Sequence, residues 1–369
     1  WNKMIKTSDF YKFLKDNEIT FYSGVPDSLL KDICAYITDN VSQENHIITA
    51  NEGAAVALGS GFHLATGKVP LIYMQNSGLG NAINPLLSLV DKKVYNIPMI
   101  LMIGWRGEPG FKDEPQHITQ GEITLELLDT MKIPYIILPE FFSEASSVIK
   151  KSLDFIKANN MPMAFIIRKN TFESYKLKKN IVTSFEMNRE DAIRVMIDAL
   201  DSEDIVVSTT GKTSRELFEY RVKLKKGHSN DFLTVGSMGH SSQIALGIAM
   251  QKPNKQVFCF DGDGAVLMHA GSLGINGILG TKNFKHIVLN NGSHDSVGGQ
   301  PTIGFDISFV NLAKEFNYKE IFCATNNAEL KEKIIDLKKS VGPSLLEVKI
   351  NKGARKNLGR PTNSPLENK

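Results

Sequence analysis

Short apolar runs alternate with longer amphipathic stretches along almost the whole chain. Runs rich in Ile, Leu, Val, Met and aromatic residues occupy 19–23, 46–50, 69–75, 98–103, 134–138 and 163–168, and their length and boundaries predict strands. Segments with helical spacing fall between them at 8–16, 27–38, 53–66, 81–95, 121–131 and 142–158. A second series follows, with strands predicted at 205–208, 232–235, 256–260, 286–289, 320–323 and 345–350. Its helices are predicted at 189–200, 214–221, 241–250, 270–279, 308–315 and 328–340. Residues 171–187 between the series are polar and Lys-rich, as a linker would be. Strand–helix alternation of this kind predicts an α/β fold with two doubly wound parallel-sheet domains, residues 1–170 and 188–369, joined by that linker.

Composition narrows the class. The chain has 369 residues, enough for two domains, and 42% hydrophobic with 22% charged residues is a globular balance. Its 43 Lys and Arg against 40 Asp and Glu leave only +3, too little and too dispersed to suggest a nucleic-acid or membrane partner. Cys34, Cys259 and Cys323 have neither disulfide nor zinc spacing. No signal-peptide pattern is present, nor any apolar run near the ~20 residues of a membrane span. A cytoplasmic protein is expected.

The candidate chemistry sits where apolar runs end. The run at 256–260 meets Asp261-Gly262-Asp263-Gly264; after 25 further residues, the run at 286–289 meets Asn290-Asn291-Gly292. An isolated Gly-Asp-Gly is most often a turn. An Asp and an Asn delivered by neighbouring strand ends, however, offer the oxygen ligands that Mg²⁺ requires. Gly262 and Gly264 admit a ligand close to the backbone, and amides opening the next helix face phosphate oxygens. Asn51-Glu52-Gly53 opens a small-residue helix, where Glu52 is favoured by the helix dipole whatever else it does. Thr234–His240 contains Gly236 and Met238, a glycine turn beside a methionine of the kind that often fills a core. Ser208-Thr209-Thr210-Gly211-Lys212-Thr213 suits either a phosphate or a helix cap, without the upstream glycine of a Walker loop.

Three other stretches are candidates for a substrate pocket. Asp27 and Ser28 follow the first run, as a helix cap or a proton relay, and Asn76 lies in a polar turn after the third. Residues 105–117, long and charged for a connector, carry Arg106, Lys112 and His117. His117 is a candidate proton donor near neutral pH, and His294 and Asp295 lie just past the Asn pair.

Taken in order, the stretches SGVPDSLLKD, NEGAAVALGSG, NSGLGNAINPLLSL, GWRGEPGFKDEPQH, TTGKTSREL, GSMGHSSQIALGIA, FDGDGA, NNGSHDSVGGQPT and GRPTNSPLENK are similar to the thiamin diphosphate-dependent 2-oxoacid decarboxylases. The resemblance implies a pyrimidine-binding domain at 1–170 and a diphosphate-binding domain at 188–369. It implies that Asp263, Asn291 and the Ser293 carbonyl hold Mg²⁺, with Thr209, Thr210, Gly211, Gly262, Gly264 and Ala265 around the diphosphate. Glu52 would bond the pyrimidine ring, which Gly236 and Met238 also contact. The implied reaction is decarboxylation of an anionic 2-oxo acid, most closely 3-phosphonopyruvate in phosphonate (2-aminoethylphosphonate) biosynthesis. Sulfopyruvate and general 2-oxo acids are the alternatives. Asp27, His117 and His294 join Glu52 as catalytic candidates; Ser28, Asn76, Arg106, Lys112 and Arg360 are candidate substrate contacts, the cations suiting a dianion. A homo-oligomer with its active site at the subunit interface is also implied. A non-catalytic protein keeping this fold is the reading from another class, opposed by the presence of Glu52, Asp263 and Asn291. A dinucleotide oxidoreductase lacks its G-x-G-x-x-G after the first strand of either half.

Overall fold

The computed structural model describes residues 4–179 and 182–369. Residues 1–3 of the first predicted domain and 180–181 of the predicted linker lie outside it. The chain divides into two compact units, Trp1–Asn180 with Val297–Gln300 and Ile181–Ser296 with Pro301–Lys369.

In the first unit the strands are β1 (Tyr22–Gly24), β2 (His46–Ile48), β3 (Leu71–Gln75), β4 (Ile100–Gly104), β5 (Tyr135–Ile137) and β6 (Met163–Ile167). The helices are α1 (Thr7–Asp16), α2 (Lys31–Asn40), α3 (Glu52–Thr66), α4 (Leu79–Pro85), α5 (Pro115–Thr130) and α6 (Phe142–Asn159). The strands form one parallel sheet in the order β2-β1-β3-β4-β6-β5. Successive residues of β3 show why both faces are covered. Leu71 and Tyr73 pack into one apolar cluster with α1, α2 and α6, and Ile72 and Met74 into another with α3, α4 and α5.

The second unit has β7 (Ile205–Ser208), β8 (Asp231–Leu233), β9 (Val257–Gly262), β10 (Phe284–Asn290), β11 (Glu320–Ala324) and β12 (Ser344–Lys349). Its helices are α7 (Arg189–Ala199), α8 (Lys212–Lys223), α9 (Ser241–Gln251), α10 (Asp263–Met268), α11 (Gly271–Leu279), α12 (Phe309–Glu315) and α13 (Asn327–Lys339). Phe258 and Phe260 of β9 face the α7, α8 and α13 side, whereas Val257 and Cys259 face α9 to α12. From its β8 edge, this parallel sheet runs β8-β7-β9-β10-β12-β11, the same permutation as the first. Each sheet therefore reverses its winding beside its first strand, at the β1/β3 and β7/β9 crevices. Open α/β sheets bind ligands at such switch points, beyond the carboxyl ends of the strands.

Each predicted strand is present, and the α/β doubly wound expectation holds. Several helix bounds differ. The helix predicted at 27–38 begins only at Lys31, because Val25-Pro26 continues the extended exit from β1 and residues 28–30 form a turn. The helix predicted at 81–95 changes to a π-helical turn, Leu86–Val90, just after Pro85, which has no N–H for an α bond. The helix predicted at 121–131 starts six residues early, with Pro115 in its first turn where a missing N–H costs nothing. The segment 105–117 is thus shorter as a loop than expected, and His117 is helical.

Candidate active site

The predicted site residues of the first unit collect beyond the carboxyl ends of its strands. Asp27, after β1, is fully buried and accepts hydrogen bonds from the Leu29 N–H (2.8 Å) and the Ser28 hydroxyl (3.4 Å). It does not cap α2, whose N-cap is Leu30. Burial pushes the Asp27 carboxyl up, against the lowering pull of the Leu29 N–H and the nearby Arg106. Gly104, closing β4, makes this possible: a Cβ there would lie 2.2 Å from Asp27 Oδ2.

Arg106 is paired rather than free. Its Nε and Nη2 donate to Asp113 at 2.8 and 2.5 Å, and its Nη1 donates to Ser28 Oγ at 2.8 Å. Asp113 also takes the N–H groups of Gly107 and Glu114, each at 2.8 Å. Asn76, after β3, grips the same backbone: its Nδ2 donates to the Arg106 carbonyl (2.8 Å) and its Oδ1 accepts the Arg106 N–H (3.2 Å). The expected cationic contact is therefore half of a bidentate ion pair. His117 lies in the first turn of α5, buried, with no partner for Nδ1 among the described residues. Burial, then the charge on Arg106, pushes its pKa down to about 4. Desolvation thus keeps the imidazole neutral near pH 7, which weighs against His117 as a proton donor there. Lys112 is exposed on the loop.

Glu52 is the first residue of α3 and is 5% exposed. The cap itself is Asn51, whose side chain accepts the Ala54 N–H at 2.9 Å. Helix position favours a charged carboxylate, but burial outweighs it and raises the pKa, partly offset by the Asn81 amide donating to Oε2 at 2.7 Å. Gly78 leaves the space in front of the carboxyl, since a Cβ there would sit 2.5 Å from Oε1. A buried acid inclined to keep its proton can donate to a ring nitrogen.

In the second unit, β7 runs into Thr209, whose hydroxyl is buried without a partner among the described residues. Thr210 donates to the Val235 carbonyl at 2.8 Å, and Gly211 (φ 93°) takes the N-cap position of α8 with no side-chain cap bond. The helix-cap alternative for this stretch is thereby excluded. The amides at the start of α8 and an orphaned hydroxyl are the donors a phosphate uses. Met238 is half-buried on the β8–α9 connection, outside either core cluster, so it is not a core methionine.

Asp263 opens α10, 2% exposed, and accepts from the Thr302 hydroxyl and from backbone N–H groups that include Asn291 and Gly264. Burial raises its pKa to about 6 against those bonds. The main chain of Asn291, beyond β10, thus meets the Asp263 carboxyl, and Asn291 Oδ1 accepts the Ser293 N–H at 3.0 Å. A carboxylate, an amide oxygen and neighbouring carbonyls form a donor set suited to a hard cation. A Cβ at Gly262 would meet nothing within 4 Å, whereas one at Gly264 would approach His294 Cε1 at 3.3 Å. Ala265, in the first turn of α10, is buried. Burial pushes His294 down to about 4, so it too is neutral at pH 7. Asp295 is held by cations on two sides. It joins a buried ion cluster, with Arg189 Nη1 at 3.0 Å and Lys212 Nζ at 3.4 Å, Arg189 also binding Glu216 at 2.8 Å. Arg360 is exposed on the C-terminal segment.

Sequence reasoning missed Asn81, Asp113 and Thr302, and the pairing of Asp295 and Lys212 with Arg189 and Glu216. Asp113 and Thr302 lay within quoted motifs, but which side chain each would meet has no local signal.

Comparison with known proteins follows the two units. The thiamine pyrophosphate enzyme N-terminal TPP binding domain matches residues 7–132, and the C-terminal TPP binding domain matches residues 209–348. The phosphonopyruvate decarboxylase of Streptomyces viridochromogenes is 31% identical over 99% of this chain and 93% of its own length. The chain belongs to the phosphonopyruvate decarboxylase family of thiamine pyrophosphate enzymes. The Streptomyces hygroscopicus phosphonopyruvate decarboxylase is likewise 31% identical, over 99% of this chain and 92% of its own. The sulfopyruvate decarboxylase of Methanosarcina acetivorans is 29% identical over 79% of this chain and 77% of its own. As a family member the protein is a carboxy-lyase with both thiamin diphosphate-binding domains. No helix among the described residues is long and apolar enough to cross a membrane.

Proposed function

We propose that the protein decarboxylates 3-phosphonopyruvate to phosphonoacetaldehyde and CO₂, using thiamin diphosphate and Mg²⁺, in cytoplasmic phosphonate biosynthesis that leads towards 2-aminoethylphosphonate. The observation carrying this reading is the near full-length match to phosphonopyruvate decarboxylases, more complete than the match to a sulfopyruvate decarboxylase. Residues 1–170 form the pyrimidine-binding domain, 171–187 the linker and 188–369 the diphosphate-binding domain.

Asp263, Asn291 and the Ser293 carbonyl hold Mg²⁺; Thr209, Thr210, Gly211, Gly262, Gly264 and Ala265 line the diphosphate. The Thr209 hydroxyl, without a partner among the described residues, and the start of α8, without a side-chain cap among them, support this fit. Gly236 and Met238 with Glu52 receive the pyrimidine. Bound thiamin diphosphate supplies a nucleophilic carbon and a sink for the electron pair left when CO₂ departs. The protein binds and orients the 2-oxo acid and delivers the one proton that takes the place of CO₂. Burial favours the protonated form of both Glu52, assigned to the pyrimidine, and Asp27, which leaves Asp27 as the donor proposed here, whereas His117 and His294 are neutral at pH 7. Ser28 and Arg106 connect Asp27 to the charged loop, whose backbone Asn76 holds in place, and Lys112 and Arg360 are the further cations proposed for the substrate anion.

CO₂ release from phosphonopyruvate, sulfopyruvate and pyruvate, each with and without thiamin diphosphate and Mg²⁺, tests the assignment. The expected kcat/KM for phosphonopyruvate exceeds the others by at least about 100-fold, the scale of discrimination a site matched to its ligand's polar groups reaches. Faster turnover of sulfopyruvate would reassign the substrate, and no CO₂ from any of the three would revive the non-catalytic reading.

Each active site is completed by the pyrimidine-binding domain of one subunit and the diphosphate-binding domain of another. Sulfopyruvate decarboxylases with separate alpha and beta subunits are among the relatives. Ile275, Ile278 and Leu279 also leave an apolar i, i+3, i+4 stripe of α11 exposed at 48%, 64% and 55%, a surface that suits a second copy. Mixing inactive Glu52→Ala and Asp263→Ala chains is the test. If sites are shared, half of the dimers are mixed and each has one intact site, so roughly a quarter of wild-type activity returns. Sites built within one subunit would regain none.

A further inference from the structure

The GDG and NN arms of the second unit are tied together by residues 301–304, which lie outside the GDG–NN span itself. Thr302 Oγ1 donates to Asp263 Oδ2 and accepts the Gly304 N–H at 3.1 Å, while the Thr302 N–H donates to the Gly292 carbonyl at 2.9 Å. Asn290 Nδ2 donates to the Gly304 carbonyl at 2.7 Å and to Glu347 Oε1 at 2.9 Å, and Asn290 Oδ1 takes the Gly292 N–H at 3.2 Å. Pro301 pairs antiparallel with Ser293. Gly304 allows this close approach, because a Cβ there would come within 2.6 Å of both Asp263 Oδ2 and Asn290 Oδ1 and push the two side chains apart. Asn290 and Asp263 are almost completely buried, so little water competes for these bonds.

We propose that Thr302 is a positioning residue for the cation site, with Gly304 and Asn290 completing a clamp that orients the Asp263 carboxylate relative to the Asn291 turn. The proposal rests on the reading of Asp263 and Asn291 as Mg²⁺ ligands. A hydroxyl has a single proton to give. Here that proton goes to the carboxylate, and the lone pair that faces Gly304 fixes the direction of donation. Supporting bonds to a ligating carboxylate are commonly worth 10- to 100-fold in metal affinity. A bare loop-closing hydrogen bond would affect stability without that specific effect on the cation.

The experiment is Mg²⁺ titration by calorimetry at saturating thiamin diphosphate, with thermal melts alongside. Thr302→Val is expected to weaken Mg²⁺ about 10- to 100-fold, with most of kcat recovered at saturating Mg²⁺, and Thr302→Ser to stay within about threefold of wild type. Gly304→Ala breaks the clamp from its other side and is expected to weaken Mg²⁺ at least as much, which keeps the test open if Thr302→Val misfolds. Wild-type Mg²⁺ affinity in both Thr302→Val and Gly304→Ala would overturn the proposal. So would a Thr302→Ser enzyme as weak as Thr302→Val. Absence of any Mg²⁺ dependence in the wild type would overturn the ligand reading itself, a different failure from an unchanged variant.

Discussion

Glu52→Ala is expected to keep thiamin diphosphate and lower kcat by about 10²–10⁴-fold, the range for loss of a positioned acid–base group. The side chain is small in the total of contacts that hold a diphosphate at the other domain, so calorimetry should show cofactor affinity close to wild type. Glu52→Gln separates charge from shape. It keeps an amide oxygen to accept from Asn81, whose present bond to Oε2 is 2.7 Å, yet cannot share a proton with a ring nitrogen. Stability should move the other way. An unfolded Glu carboxyl titrates near 4.5, and burial raises the folded value. Between the two the folded chain holds a proton that the unfolded chain releases, so stability falls as pH rises through that window and stays lower above it. Glu52→Gln removes that loss. At pH 7 the cofactor-free variant is expected to melt no lower than wild type while remaining inactive. Wild-type turnover in Glu52→Ala would overturn the role assigned to this acid, whatever the melting data showed.

How much of this was legible in the sequence follows from where the physical signal lies. Central strands covered on both faces are largely apolar, so the β3, β4, β6, β9 and β10 runs announce themselves, and the carboxyl-end residues that follow them are marked by abrupt Gly, Asn and Asp. Asp27, Glu52, Asn76, Thr209, Asp263 and Asn291 stand out as candidates at strand ends, whereas the role expected of each comes from the family resemblance. Their surroundings carry no such mark. Arg106 reads as a free cation until Asp113 is found against it at 2.5–2.8 Å. His117 reads as a neutral-pH donor until the packing of α5 removes its water. The bonds from Asn81 to Glu52 and from Thr302 to Asp263 span 29 and 39 residues, and no local pattern announces a partner at such a distance. Helix starts failed for a related reason: Pro115 and the turn after Pro26 obey backbone constraints that amphipathic periodicity does not register.

Asp263→Ala is expected to abolish binding of thiamin diphosphate with Mg²⁺ in the millimolar range and below, so that no turnover is measurable at ordinary cofactor concentrations. The carboxylate is the one formal negative charge in the proposed ligand set, and charge-assisted contacts of this type are each worth about 1.5–3 kcal/mol before the metal's bridge to the diphosphate is counted. The same residue is a burden to the metal-free chain. Its folded pKa of about 6 against 3.8 unfolded means that stability falls as pH rises from the lower value through the higher one. By pH 7 the loss reaches about 3 kcal/mol. Asp263→Asn keeps the volume and an acceptor for Thr302 without that charge. Metal-free Asp263→Asn is therefore expected to melt above metal-free wild type at pH 7, and the two to converge near pH 4. Adding thiamin diphosphate and Mg²⁺ should raise the wild-type melting temperature, since a ligand that binds only the folded state stabilises it, and should leave Asp263→Asn unmoved. A cofactor-dependent shift as large in Asp263→Asn as in wild type would show that the cation is held elsewhere. Buried charge at this strand end is then a cost carried by the empty protein for the sake of the ion, and the opposite responses of stability and binding to one substitution are its signature.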